Sequence, residues 1–365
     1  MLKLIKNTFV RITVLVILIA ACLLGYAFRS SLKLQTKHAL AYVYVYQGDD
    51  NYKKGKFQDA INSYNHALHL YPEHVKARYN LGNIYFAYED YSSAVICYEE
   101  ALRHSPDFIN AHINLAILLA EHFFDFDRAI DEYQKVIDFK PLIIKIPYIY
   151  NNESYIVNGK TIAYYNQGLA YKAKSLMLGD DNPQSRSYLR KAAECYKNSL
   201  ELSPDKYDAH YNLGTTLHLL GNFKEAQKEY CKAINIDPLN YEAHYNLAIL
   251  FRELKSYDDS IAELEKAGLL LDTKGDSYIT RYIYDVLNEV YQKSVIKKEY
   301  LSLVDKISTE AATPDKNSQK ESSNITYING KVVISDQLDR AMIENMKTCG
   351  SSMSETNTNS QSIKY

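Results

Sequence analysis

The side chains with the greatest capacity for chemistry recur at one place. Asn80, Asn114, Asn166, Asn212 and Asn246 each sit in a short phrase that returns along the chain. It reads Ala-Arg-Tyr-Asn-Leu-Gly from Ala77 and Ala-His-Ile-Asn-Leu-Ala from Ala111. It returns as Ala-Tyr-Tyr-Asn-Gln-Gly from Ala163, Ala-His-Tyr-Asn-Leu-Gly from Ala209 and Ala-His-Tyr-Asn-Leu-Ala from Ala243. An amide carries donors and an acceptor, so a row of amides can pair with a polypeptide backbone without reading its side chains. That chemistry is recognition, not bond making. A second role is open to the same groups: hydrogen bonding between the chain's own helices.

Other reactive types do not assemble into a centre. His112, His210 and His244 are equivalent residues, one per phrase, and read as packing. His66, His69 and His74 cluster at a helix end but lack the further ligands a metal ion needs. Gly159-Lys160-Thr161 has the ending of a phosphate-binding loop, yet Ser154 stands where the earlier glycine is required. HExxH, GxSxG and GxGxxG are absent. The five cysteines, Cys22, Cys97, Cys195, Cys231 and Cys349, show no metal-ligand spacing and read as free thiols. Two glycosylation sequons, at Asn152 and Asn324, matter only in a eukaryotic secretory setting and are discounted. No catalytic residue, cofactor, metal or small-molecule substrate is expected. Lys plus Arg total 42 against 44 Asp plus Glu, which excludes a global basic field for nucleic acid. With 34 Tyr and no Trp, tyrosine must fill the large aromatic positions.

What positions the asparagines is a repeat. Gly82 to Ala116 is 34 residues, and so is Gly214 to Ala248. A fixed period of this size marks a stacked array of similar units. In the second unit Leu81, Gly82 and Tyr85 have helical spacing, as do Tyr91, Ala94, Tyr98 and Ala101, with Tyr88-Glu89-Asp90 as the turn and Pro106 as the stop. Each unit is therefore a helix pair, A then B, that must stack on neighbours to bury both faces.

This pattern resembles the tetratricopeptide repeat family. Leu-Gly then Tyr in helix A carry the likeness, with Ala, Tyr, Ala and Pro in helix B. The first unit shows it as Gly48, Phe57, Ala60, Tyr64, Ala67 and Pro72, the fifth as Leu213, Gly214, Leu217, Phe223, Ala226, Tyr230, Ala233 and Pro238. The resemblance covers about 41–274, in units 41–74, 75–108, 109–142, 161–206, 207–240 and 241–274. It implies an all-α fold, a right-handed superhelical solenoid of helix pairs, whose helix A residues line a concave groove that binds a protein or peptide. On that reading the groove residues are Asn80, Asn114, Asn166, Asn212 and Asn246, with Asn83, Thr215 and Arg252 nearby. Ile117, Ile249, Phe86 and His218 flank them. The carboxylate clamp of some members is not matched: Tyr79, Asn80, Asn83, Asn110 and Asn114 occupy its places, and Lys76 is the one basic residue there.

The fourth unit departs from the ruler. Gly168 to Tyr196 is 28 residues against 16 between Gly82 and Tyr98, so twelve are inserted, expected around Gly179–Pro183. A further insertion, 143–160, ends in Asn158-Gly159, a hairpin signal. Residues 275–306 are expected to form a capping helix or partial repeat. The remainder, 307–365, is polar and expected to be largely disordered, apart from a second Asn-Gly hairpin candidate over Ile325–Ile334.

The N-terminus has the marks of a membrane address. Residues 1–11 are basic, 12–28 are uninterruptedly apolar, and 29–40 read as a linker. Seventeen residues at about 1.5 Å each is the short limit for roughly 30 Å of hydrocarbon. A single-pass signal anchor is expected, with the array outside the cytoplasm of a bacterial cell envelope. The alternatives are a lipoprotein modified at Cys22, since Ile19-Ala20-Ala21-Cys22 matches a lipobox, and a cleaved signal peptide. The expected function is a membrane-tethered scaffold for protein–protein interaction, not an enzyme. A non-catalytic subunit or targeting arm of an enzyme complex, and a structural oligomer, are the other readings.

Overall fold

The computed structural model describes residues 2–140, 153–179, 181–274, 277–293, 325–328 and 331–334; within these, the side chains of 2–25, 27, 30, 153, 272–274, 277, 291–293 and the two strands are not described. The chain divides into two compact units between Gly159 and Lys160. The first holds α1 (Leu2–Lys53), α2 (Phe57–Leu70), α3 (Val75–Ala87), α4 (Tyr91–His104), α5 (Ile109–Glu121), α6 (Phe126–Asp138) and the start of α7 (Glu153–Leu178). The second holds the rest of α7, then α8 (Pro183–Leu202), α9 (Tyr207–Leu219), α10 (Phe223–Ile236), α11 (Tyr241–Glu253), α12 (Tyr257–Lys274) and α13 (Ser277–Lys293). The described residues are helical throughout, apart from an antiparallel ribbon of β1 (Ile325–Ile328) and β2 (Lys331–Ile334), in which Ile325 faces Ile334 and Ile328 faces Lys331.

Odd-numbered helices are A and even-numbered helices are B. Each B helix buries one stripe set by spacings of four and three residues: Ala60, Tyr64 and Ala67 in α2, Ala94, Tyr98 and Ala101 in α4, Ala226, Tyr230 and Ala233 in α10. Tyrosine fills the large core sites, with Tyr64, Tyr98, Tyr133, Tyr196 and Tyr230 almost fully buried. The ring explains the glycine of helix A. A Cβ on Gly82 would lie 2.7 Å from Tyr98, on Gly168 2.7 Å from Tyr196, and on Gly214 2.8 Å from Tyr230. The A-to-B turns pass through one residue with positive φ, which is Gly55, Gly179 and Gly221 in three turns and Glu89, Phe124 and Lys255 in the others. Aspartate then caps helix B where Asp90 accepts from Ser93 N and Asp125 from Arg128 N.

Three expectations are corrected. The linker expected over 29–40 is helical, part of an unbroken α1 in a stretch that contains no proline. The hairpin expected at Asn158-Gly159 is instead the first turns of α7, and the glycine serves close packing, since a Cβ there would lie 2.7 Å from Ile109. The boundary placed at 160/161 thus falls inside a helix. The twelve inserted residues of the fourth unit are not a loop either. They lengthen α7 and α8 together, leaving only 179–182 between them. A serine clasp holds the extension, with Ser175 Oγ 2.6 Å from Ser185 Oγ, and Asn182 caps α8 ahead of Pro183.

α13 covers the last pair of the second unit. Ile283, Val286, Leu287 and Val290 bury against Ala248, Leu264, Ala267 and Leu271. Among the described residues no helix is long and apolar enough to cross a membrane. The anchor expected over 12–28 and the lipidation expected at Cys22 fall on side chains outside the described residues, as does the tail beyond the ribbon.

Candidate functional site

Every residue of the repeated phrase has a distinct task. Its alanine is buried in each unit: Ala77, Ala111, Ala163, Ala209 and Ala243. Its leucine enters the core, as Leu81, Leu115, Leu213 and Leu247 do. The asparagines are half-buried in all five units.

The amides stitch consecutive helix A segments. Asn114 Nδ2 donates to Tyr79 Oη at 3.0 Å and to Asn83 Oδ1 at 3.0 Å. Asn212 Nδ2 donates to Tyr165 Oη at 3.1 Å and to the Asp208 carbonyl at 2.9 Å. Asn246 Nδ2 donates to Tyr211 Oη at 2.7 Å. The partners are 35, 47 and 35 residues apart, the middle value carrying the insertion. In the first unit Asn80 Nδ2 donates to Asp49 Oδ1 at 2.8 Å and to Tyr64 Oη at 3.3 Å. The Asp49 carboxylate and the Asp208 carbonyl can only accept, which sets the donor ends of Asn80 and Asn212.

The donor ends are therefore engaged inside the protein. The carbonyl oxygens differ. Those of Asn80, Asn114 and Asn246 receive no hydrogen bond among the described residues, and Asn166 makes no side-chain hydrogen bond among them. Asn212 Oδ1 accepts from Lys172 Nζ at 3.1 Å. So the amide N–H groups hold neighbouring repeats together, and the carbonyl oxygens of Asn80, Asn114 and Asn246 receive no hydrogen bond among the described residues.

Lys172 was not singled out by sequence reasoning. Its ammonium reaches Asn212 and Thr215 Oγ1, the latter at 2.8 Å, and no carboxylate pairs with it among the described residues. Burial pushes its pKa down to about 8. Its signal in the sequence was only that it stands four residues after Gly168, the place held by His218 and Arg252 in the next two units. Those two are paired: His218 with Glu253 at 3.1 Å, and Arg252 with Glu289 at 3.8 Å. Asn83 accepts from Tyr98 Oη at 2.8 Å as well as from Asn114.

The phrase histidines are more than packing. His112, His210 and His244 each place Nδ1 against a helix B glutamate: Glu132 at 2.5 Å, Glu229 at 2.6 Å and Glu263 at 2.6 Å. Each Nε2 meets the carbonyl of the proline that ended the previous stretch: Pro106 at 2.8 Å, Pro204 at 2.8 Å and Pro238 at 3.1 Å. A lysine one turn on, Lys135, Lys232 or Lys266, holds the other carboxylate oxygen. Each ring thereby bridges a helix B glutamate and the proline carbonyl that precedes its own helix. Burial would raise the Glu132 and Glu229 pKa values, but the histidine and lysine bonds outweigh it and hold both below the usual carboxylate range. The recurring His-to-Glu spacing was the signal that could have found these pairs. The other histidines part company: His74 caps α3 through Ala77 N, and His66 lies against Tyr44.

The second unit also carries a hollow of about 340 Å³ between α9, α11 and α13. Asn246 lines it together with Tyr211, Tyr241, Tyr245 and Tyr282.

Comparison with known proteins agrees with the repeat. Residues 46–107, 195–228 and 220–269 match models of the tetratricopeptide repeat, and these segments carry that repeat. A curated relative, the Hsp70-Hsp90 organising protein of Plasmodium falciparum, is 28% identical over 160 residues, which are 41% of this chain. The match spans only 27% of that relative's length. Among solved structures, Pseudomonas aeruginosa PilF aligns with a TM-score of 0.51 at 14% identity, over 69% of this chain and 99% of its own. YrrB, described as a tetratricopeptide protein with an unusual peptide-binding site, aligns with a TM-score of 0.43 at 21% identity, over 60% of this chain and 95% of its own. At these identities the structural likeness speaks to the fold alone.

Proposed function

We propose that these repeats form a protein-interaction scaffold in which each compact unit holds extended polypeptide against its own helix A faces, and that the chain performs no chemistry itself. The observation that carries this reading is the set of amide carbonyls on Asn80, Asn114 and Asn246. Their N–H groups are bonded internally, so the oxygens are oriented in advance and can accept from a ligand's backbone N–H groups. Asn212 is excluded from that role because both its ends are engaged. The repeat class supports the reading, since tetratricopeptide repeats are generally non-catalytic, and so does a relative named for organising Hsp70 and Hsp90.

The apolar stretch Ile12–Phe28, flanked by basic residues, supports a membrane tether for this scaffold, in a bacterial cell envelope. Lipidation at Cys22 is the alternative tether; labelling with a palmitate analogue that disappears in Cys22→Ser would establish it, and unchanged membrane association without label would favour the spanning anchor.

The scaffold reading is tested with the full-length chain and an array of short randomised peptides. Ile117 and Ile249 are half-buried on helix A beside the ladder. Arginine at either place should block capture, with some loss of Tm at Ile249, which also packs against the core cluster that contains Ala248 and Leu264. Retention of the same peptides by both variants would remove the helix A faces as the binding surface.

A further inference from the structure

The hollow between α9, α11 and α13 has a composition that selects a ligand. Tyr211, Tyr241, Tyr245 and Tyr282 line it with Asn246, Ile279 and Ile283, and Glu242 is its one acidic residue. No lysine or arginine lines it. Glu242 is exposed, in the first turn of α11, and forms no ion pair with a described residue. Arg252, two turns further along α11, is directed to Glu289.

The aromatic walls are fixed before any ligand arrives. Tyr211 is held by Asn246 at its hydroxyl. The Tyr245 and Tyr282 rings pack against each other, tilted at 52° with centroids 6.3 Å apart. Tyr282 lines the hollow and is 54% exposed. The negative field is felt locally: after burial, the Glu242 carboxylate is the largest contributor pushing up the Tyr207 and Tyr211 hydroxyl pKa values.

Aromatic faces and a carboxylate without a cation make a receptor for positive charge. Ring quadrupoles attract an ammonium or guanidinium over their faces, and the carboxylate closes the pair. A hollow lined by tyrosine alone would suit a proline or aromatic side chain equally well; Glu242 decides between them. We infer that this hollow takes the lysine or arginine side chain of a bound polypeptide, seated on Tyr245 and Tyr282 and paired with Glu242. The inference rests on the groove reading above and adds the chemistry of one ligand residue. Asn246 would join the two, since it both lines the hollow and belongs to the helix A ladder.

The probe is a set of short randomised peptides screened against the full-length chain, followed by one bound peptide and its derivative with norleucine in place of the basic residue. Bound peptides should share a lysine or arginine. Norleucine should weaken binding about tenfold, in line with a desolvated cation–aromatic contact plus one ion pair. Glu242→Gln should show the same loss and no longer distinguish lysine from norleucine, while Glu242→Lys should prefer an acidic residue instead. Tyr282→Leu gives a second variant, at a largely exposed ring, with the same direction. Equal binding of the lysine and norleucine peptides, or an intact preference in Glu242→Gln, would overturn this inference and leave the groove reading standing. Failure to bind any peptide would overturn both.

Discussion

Asn246 Nδ2 sits 2.7 Å from the hydroxyl of Tyr211, one repeat earlier on the neighbouring helix A. Asn114 and Tyr79, in the other unit, repeat the contact at 3.0 Å. With the His218–Glu253 pair, the Asn246–Tyr211 bond joins α9 to α11 and so contributes to stacking between repeats. Tyr211→Phe and Asn246→Ala should each lower stability by about 1 kcal/mol, the net value of one such hydrogen bond. A double-mutant cycle by urea denaturation should return most of that as coupling. Additive losses would mean the contact contributes nothing of its own.

Glycine 214 is required by its neighbour. A Cβ there would stand 2.8 Å from the Tyr230 ring, closer than side chains pack, so Gly214→Ala must shift a fully buried tyrosine. We expect a loss of about 1–3 kcal/mol, measured by thermal and urea unfolding. Gly221→Ala, where φ is +81° but nothing lies within 4 Å, should lose about 1 kcal/mol through the backbone alone. An unchanged Gly214→Ala would mean that the ring is not held against α9.

Much of this architecture was legible from one short phrase. The 34-residue period and the Ala, Tyr, Ala stripe announced helix pairs because a helix face repeats every three to four residues, whatever the tertiary setting. The Asn158-Gly159 hairpin was misread because Asn-Gly is a local signal, whereas the contact of Gly159 with Ile109 is long-range. The fourth-unit insertion was expected as a loop since Gly179 and Pro183 are turn residues; they do mark the turn, but the added residues on either side kept helical periodicity. At the candidate site, the asparagines were visible and their bonds were not. The sequence shows that an amide is present at each repeat, but only geometry shows that its donor end is already engaged and its acceptor end is not. Lys172 and Glu242 were not marked for another reason: basic residues recur at the first place (His218, Arg252) and an acidic one at the second (Asp208), so neither stands out from the repeat until its partners are seen.

Stability at acid pH should follow the phrase histidines' partners. Glu132 and Glu229 have native pKa values below the ordinary 4.5. Their stabilising contribution is complete above the unfolded carboxylate's pKa and declines as pH falls through the lower native values. Tm should therefore drop below about pH 4.5, and Glu229→Gln should be less stable at pH 7 with a shallower acid limb. An acid limb of unchanged slope would show that the native proton is bound elsewhere.

Lys172 titrates in the opposite sense. Its native pKa of about 8 lies below the ordinary 10.5, so between these values the unfolded chain binds the extra proton and stability rises with pH. Lys172→Met should raise stability at pH 7, because an incompletely solvated ammonium without a carboxylate is removed, and should flatten the rise between pH 8 and the onset of tyrosine ionisation near 10. The check is a pH series of urea midpoints. A variant that is less stable at pH 7 would show that the bonds to Asn212 and Thr215 outweigh the desolvation.

The most direct test of the central claim is site-specific photocrosslinking of captured peptide by the full-length chain. A photoreactive residue at Asn83 or Ile249, on helix A, should crosslink the peptide, while the same residue at Ser92 or Lys228, exposed on helix B, should not. Crosslinks from the helix B positions alone, or from none of the four in a chain that retains peptide, would contradict binding at the helix A faces.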